Sequence, residues 1–254
     1  MLLRALALAA VAVSVASGAV FAKPECRAKS EELDLGNPLE IAKDGVTRQK
    51  HIRIVAMGSS STQGYGTTNP QFAYPAQLKI RLEEAVPSIN VMVWNKGIGG
   101  QDAEEMAERM KHDVLPEKAH LVIWQVGTNS AIRRTPLDRF ANRLRAGIDI
   151  GKSLGADFLL MNLQYVPAVV SLPDEEDYAR TMAEVAKEKG AGLFRRFEIM
   201  RSWYNDGMPY AQFVTSDGLH LNDFGQKCIG KLLSSAIIDT IVPKKLTGTP
   251  KTSR

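Results

Sequence analysis

Arg53-Ile54-Val55-Ala56-Met57-Gly58-Ser59-Ser60-Ser61-Thr62-Gln63-Gly64 begins as a short apolar run, stops at a glycine, and passes straight into three serines. Such a β-branched run reads as a buried strand. In an α/β sheet, ligands bind at the rim formed by the carboxyl ends of the strands. A serine just past such a strand sits on a rigid support, open to solvent and close to backbone N–H groups that lack a strand partner. On its own the stretch reads rather as a serine-rich turn capping the next helix, so a functional meaning depends on the rest of the chain.

Downstream, apolar strands alternate with helices of amphipathic spacing. Pro75 opens a helix to about Val86, and Ile89–Trp94 forms a second strand that ends in the tight loop Asn95-Lys96-Gly97-Ile98-Gly99-Gly100. Asp102 and Glu105 form a capping box for a helix whose stripe is Ala103, Met106, Met110 and Val114. Leu121–Val126 is a third strand, ending in Gly127-Thr128-Asn129-Ser130, and a helix from Pro136 stops at Gly155. Asp157–Leu163 and Gly192–Arg195 supply two more strands, with a polar helix between them, and Phe224, Cys228, Leu232 and Ala236 mark a final helix. This alternation predicts βαβ units and a single α/β domain, a three-layer sandwich around a mainly parallel five-stranded sheet. Trp94 and Trp124 fall in strands and are expected in the core, a pocket wall being only the lesser alternative for Trp203.

The ends differ in composition. Residues 1–22 carry one positive charge, Arg4, then an almost unbroken apolar run and small residues before Lys23, the pattern of a secretory signal peptide. Residues 23–50 read as an irregular arm, 51–243 as the domain, and 244–254, with Lys244, Lys245, Lys251 and Arg254, as a basic flexible tail. Export implies a periplasmic or secreted protein, with no stable membrane insertion after signal cleavage. In an oxidising compartment Cys26 and Cys228 suit a disulfide joining the arm to the last helix, the alternative being two unpaired thiols. The net charge of +4 is concentrated in the tail, and no basic stripe with interleaved aromatics is present, which argues against nucleic acid. His51, His112 and His120 lack ligand spacing, so no metal or cofactor is expected.

In a parallel sheet the Ser60, Gly97 and Asn129 loops open on one rim. Acyl transfer needs a nucleophile, a base, a group to orient the base, and donors for the oxyanion. Ser60 supplies a hydroxyl. The N–H groups of Ser60 and Gly97 and the Asn129 amide are candidate donors, and Asp217-Gly218-Leu219-His220 supplies a carboxylate and an imidazole three residues apart. Gln63, Tyr65, Gln125, Asn162, Gln164 and Tyr165 give the rim a partly polar character. Thr62 stands where an α/β-hydrolase elbow requires glycine, which excludes that motif.

Together these blocks resemble the SGNH (GDSL) hydrolase family of esterases and lipases, over almost all of the mature chain. Gly58-Ser59-Ser60-Ser61-Thr62 is similar to the family's Gly-Asp-Ser-x-Thr block, Asn95–Gly100 to its second block, Gly127–Ser130 to Gly-x-Asn-Asp, and Asp217–His220 to Asp-x-x-His. The resemblance implies a flavodoxin-like sheet, no metal, nucleophile Ser60, oxyanion residues Gly97 and Asn129, and hydrolysis of carboxylic esters or thioesters. Ser59 and Ser130 replace the family aspartates; they are expected to alter loop hydrogen bonding rather than abolish turnover. The substrate expected is a small-molecule or polysaccharide ester carrying short acyl groups. The alternatives are a longer-chain lysophospholipase or thioesterase and an inactive carbohydrate-binding relative.

Overall fold

The computed structural model describes residues 25–243; the expected signal peptide and basic tail lie outside the described residues. Five strands form the central sheet: β1 (His51–Gly58), β2 (Asn90–Gly97), β3 (Leu121–Gln125), β4 (Asp157–Met161) and β5 (Gly192–Phe194). Their order is β2-β1-β3-β4-β5 and every pair is parallel. The order reverses between β1 and β3, so the crevice at that switch point lies beside the carboxyl end of β1. Gly58 is in register with Gly97, and Gln125 with Met161, which brings these strand ends to one rim.

Helices cover both faces, as a parallel sheet requires. The Tyr74–Ala85 and Asp223–Ile241 helices pack together in one layer, and the Ala103–Val114, Leu137–Ser153 and Glu175–Glu188 helices in the other. Asp102 makes the expected capping box with Glu105, and Ala103, Met106, Met110 and Val114 are buried. Close approach of the Leu137–Ser153 helix explains two of its glycines. A Cβ on Gly147 would lie 2.5 Å from the Trp124 ring, and one on Gly151 would lie 2.2 Å from Phe158.

Several expectations need correction. The arm is not irregular: it contains short helices at Ser30–Leu33 and Glu40–Asp44 and a π-helical turn at Gly45–Gln49. It buries Leu35, Leu39, Ala42 and Val46 in the common core, so it is part of the domain body. Short helices like these draw their stability from tertiary packing, so local periodicity does not announce them. Asn95-Lys96-Gly97 extends β2 instead of forming a loop, because Gly58 still pairs with Gly97. Trp124 is buried, whereas Trp94, on the edge strand, is only half-buried. Trp203 is no pocket wall; it is buried under the arm, with its indole N–H donating to Arg27 O (2.6 Å). A Cys26–Cys228 disulfide, with Cα atoms 5.1 Å apart, closes the arm onto the last helix.

At the opposite end of the sheet, the arm also covers His120. Its ring is buried, takes a hydrogen bond from the Arg53 guanidinium at Nε2 (2.8 Å), and packs against Gly45. Burial, with the positive Arg53 alongside, pushes its pKa down from 6.5 to about 4. The unfolded chain therefore takes up a proton that the folded chain refuses between those values. This contribution to stability is complete above about pH 6.5 and is lost as pH falls toward 4, by about 2–3 kcal/mol. Urea unfolding at pH 7 and pH 4.5 should show this loss in the wild type and a shallower one in His120→Gln; equal slopes would refute it.

Candidate active site

The rim is assembled from the turn after β1. The Ser60–Gln63 helical turn ends at Gly64, whose φ of +97° reverses the chain. Ser60 lies at the first position of that turn, where N–H groups have no intrahelical partner. Four polar side chains from other parts of the fold grip the turn. Gln125 Oε1 accepts from Ser59 N (3.0 Å), Ser59 Oγ (3.2 Å) and Thr62 Oγ1 (3.0 Å). Gln226 Nε2 donates to Ser61 O (2.9 Å), Asn95 Nδ2 donates to Thr62 O (2.8 Å), and Arg196 donates to Ser61 Oγ (2.8 Å).

Arg196 is fully buried, and its described partners are neutral: Ser61 Oγ and the carbonyls of Asn162 (3.1 Å) and Leu163 (3.3 Å). Burial pulls its pKa down to about 10, which still leaves it charged at neutral pH. Gln125, Asn162 and Gln164, expected on the open rim, are all buried. They are scaffold: Asn162 holds Glu198 and Phe197 N, and Gln164 Nε2 donates to Leu219 O (2.6 Å). Ser59 is buried by Gln125, and Ser130 Oγ accepts from Ala103 N (3.4 Å), so neither serine faces the opening.

On the opposite side of the cleft, Val214 pairs with Leu221 and frames the Thr215–His220 turn. Gly218, with φ of +69°, lets the chain double back so that Asp217 meets the imidazole of His220. His220 Nδ1 lies 2.6 Å from Asp217 Oδ2, and Nε2 lies 2.9 Å from Ser60 Oγ, across 160 residues of chain. Partial burial works against the Asp217 charge. The Thr215 hydroxyl, the imidazole, and the backbone N–H groups of His220 and Leu219 outweigh it and hold the carboxyl well below the usual carboxylate range. The carboxylate therefore stays ionised into acid and keeps Nδ1 as the N–H, which leaves Nε2 to accept the serine proton. The Tyr65 ring, 60% exposed, sits 4.4 Å from the imidazole and covers one face of it.

The donors are less simply placed. Asn129 Nδ2 donates to Gln101 O (2.8 Å), which leaves its second N–H available. The Gly97 N–H does not face the cleft freely: it donates to Asn95 Oδ1 (2.9 Å). Gly97 is required for another reason. A Cβ there would lie 2.2 Å from Gln63 N and 2.7 Å from Gln63 Cα, inside the turn that carries the serine. The Gly99-Gly100 turn lies nearer the cleft; a Cβ on Gly99 would sit 3.8 Å from the Ser60 Cβ, and Arg133 clamps the Gly100 carbonyl (2.8 Å). Gly97→Ala is expected to lower kcat by 10-fold or more by displacing the turn, with about 1–3 kcal/mol of lost stability. Esterase kinetics and thermal unfolding check this, and wild-type values in both would contradict it.

Arg196, Gln226 and Asn95 were not anticipated as part of the site. The available signal was a polar residue within or beside an element with an apolar face, as with Gln226 in the helix that carries Cys228, Leu232 and Ala236.

The chain is similar to several known proteins. A 25%-identical relative over 166 residues is an acetylxylan esterase of Geobacillus stearothermophilus, covering 60% of this chain and 73% of that protein. The fold matches a two-domain esterase active on acetylated mannans (TM-score 0.68, 16% identity, 89% of this chain). The chain spans 60% of that esterase's length. It also matches a lipase/acylhydrolase from Enterococcus faecalis (TM-score 0.63, 22% identity, 76% of this chain and 98% of the other). Residues 25–242, which hold the whole Ser60–His220–Asp217 array, match the model of the non-GDSL lipase-like family, a description in keeping with Ser59 in place of the aspartate. The chain belongs to that family.

Proposed function

We propose that this protein is an exported serine esterase that removes short acyl groups, acetyl above all, from a saccharide through an acyl-enzyme on Ser60. The observation that carries the reading is the unbroken hydrogen-bond chain from Ser60 Oγ through the imidazole to Asp217. His220 Nε2 takes the Ser60 proton as Oγ attacks the ester carbonyl. Asp217 stabilises the imidazolium that forms. The tetrahedral oxyanion is held by the Ser60 N–H, the free N–H of Asn129 Nδ2 and the Gly99-Gly100 turn, which takes the part expected of Gly97. His220 then gives its proton to the departing alcohol, and water attacks the acyl-enzyme with the roles reversed.

Two features favour a short acyl group on a saccharide. Tyr65, against the His220 imidazole, and Ile98, next to the Gly99-Gly100 turn, are both exposed at the edge of the site, and the relatives named above include esterases of acetylated xylan and mannan. Export is supported by the apolar stretch in residues 1–22 and by the disulfide.

A fluorophosphonate probe tests the nucleophile: Ser60 is labelled in the wild type and not in Ser60→Ala or His220→Ala. Absence of wild-type labelling would turn the reading toward an inactive carbohydrate-binding relative. Across p-nitrophenyl esters from acetate to palmitate, kcat/KM is expected to fall with chain length; a maximum at long chains would favour a lysophospholipase or thioesterase. Asn129→Ala is expected to lower kcat by about 10²–10³ with KM little changed. Unchanged turnover would remove Asn129 from the oxyanion site.

A further inference from the structure

We infer that Tyr204, backed by Tyr210 and Tyr165, forms a separate saccharide subsite on the segments that adjoin the Asp217–His220 turn, stacking a pyranose ring of the chain that carries the ester. This inference rests on the esterase reading above for its substrate class. The Tyr204 and Tyr210 rings are nearly parallel, 4.4 Å apart and inclined by 22°. Tyr165 lies 6.2 Å from Tyr210 at 27° and 6.0 Å from Tyr204. Tyr204 is 44% exposed, one of the few large apolar side chains open to solvent, while Tyr165 and Tyr210 are half-buried.

The stack is rigidly backed. Phe197 meets Tyr165 edge-on at 5.2 Å, and Phe213 lies 5.6 Å from Tyr210 and itself packs edge-on against Trp203. All three backing rings are buried. A binding surface held in place this way loses little entropy when a ligand settles on it.

The platform is also continuous with the catalytic turn. Gln164, the residue before Tyr165, donates to Leu219 O (2.6 Å), and the N–H of Ala168, three residues after Tyr165, donates to Gly218 O (3.0 Å). Tyr210 begins the short helix that leads into Val214 and Thr215, and the Thr215 N–H donates to His220 O (2.8 Å). The two segments that carry the tyrosines are therefore those that fix the Asp217–His220 turn.

The chemistry fits a neutral sugar. A pyranose presents an apolar C–H face and a rim of hydroxyls, which matches flat rings edged by phenol groups. A long acyl chain requires an enclosed apolar channel, and a nucleic acid requires unpaired basic residues among the rings. The adjacent cation, Arg201, is paired with Glu176 (2.9 Å) and lies over Phe197 (5.6 Å).

The test compares wild type, Tyr204→Ala, Tyr210→Ala and Tyr204→Phe on p-nitrophenyl acetate and on acetylated glucomannan and xylan oligosaccharides. Each alanine variant is expected to raise KM on the oligosaccharides about 5- to 30-fold, the range of stacking planar ligands on aromatic rings. On p-nitrophenyl acetate kcat/KM of Tyr204→Ala should stay within about twofold, and Tyr204→Phe should behave like wild type. Equal losses on both substrates, or no change on either, would overturn the subsite. Affinity electrophoresis through unesterified glucomannan and xylan reads binding without turnover. Retardation of the wild type that both alanine variants lose supports the platform, and free migration of the wild type overturns it. An inability to hydrolyse any ester, p-nitrophenyl acetate included, would strike at the esterase reading alone.

Discussion

His220→Ala is expected to lower kcat by about 10⁴–10⁶ while the far-UV spectrum and melting temperature stay close to wild type. The imidazole is the only group that connects the Ser60 hydroxyl to the Asp217 carboxylate among the described contacts, at 2.9 Å and 2.6 Å. Its side chain is mainly shielded, but its removal leaves the turn's own backbone bonds in place. Ser60→Ala should lose as much, and the double variant little more, because the residues act as one unit. Asp217→Asn separates two roles. An amide can still accept from the Leu219 and His220 N–H groups, but it cannot stabilise an imidazolium or hold its tautomer. A loss of about 10³–10⁴ in kcat with KM nearly unchanged is expected. Single-turnover acylation on p-nitrophenyl acetate measures these losses, and a His220→Ala enzyme within tenfold of wild type would end the triad assignment.

Replacing both Cys26 and Cys228 by alanine is expected to remove about 2–5 kcal/mol of stability, among the largest effects any substitution outside the cleft should have. The bridge spans 202 positions, so it removes a large share of the freedom of the unfolded chain. It also secures the arm, which otherwise attaches through dispersed contacts. Arg27 O accepts from Trp203, Glu32 accepts from Ser202 (2.6 Å), and the Leu193 N–H donates to Leu35 O (2.9 Å). Urea unfolding should give the wild type a midpoint that falls on adding dithiothreitol, and the double variant a low midpoint that does not respond. A wild-type midpoint indifferent to the reductant would contradict this. Activity per folded molecule should be retained, since Cys228 is buried and is bonded to the arm through Cys26.

Much of this architecture was legible along the chain because the signals are local. A β-branched run ending in glycine and serines marks β1, and the helical stripe at Met106, Met110 and Val114 marks a covering helix. Asp217-Gly218-Leu219-His220 is legible for the same reason: one positive-φ glycine within a four-residue turn is enough to bring a carboxylate to an imidazole. The second block illustrates the limit. Its glycines are recognisable as a group, but whether Gly97 or the Gly99-Gly100 turn has an open N–H depends on where the Asn95 side chain points and how far β2 keeps pairing with Gly58.

The amino-acid sequence by itself determined the succession of strands and helices along the chain, the two-sided burial of the sheet, and the loops of Ser60 and Asp217–His220, because hydrophobic period and turn chemistry act within a few residues. Only the tertiary structure decided that Gln125, Gln226 and Arg196 brace the serine turn from beneath, that the arm belongs to the core, and that three tyrosines from separate segments stack together. The physical reason is that a buried polar group takes whatever partner the packing brings to it, and a surface ring whatever neighbour lies within reach. Those partners are set by the closing of the whole sheet and its layers, at separations along the chain that no local pattern encodes.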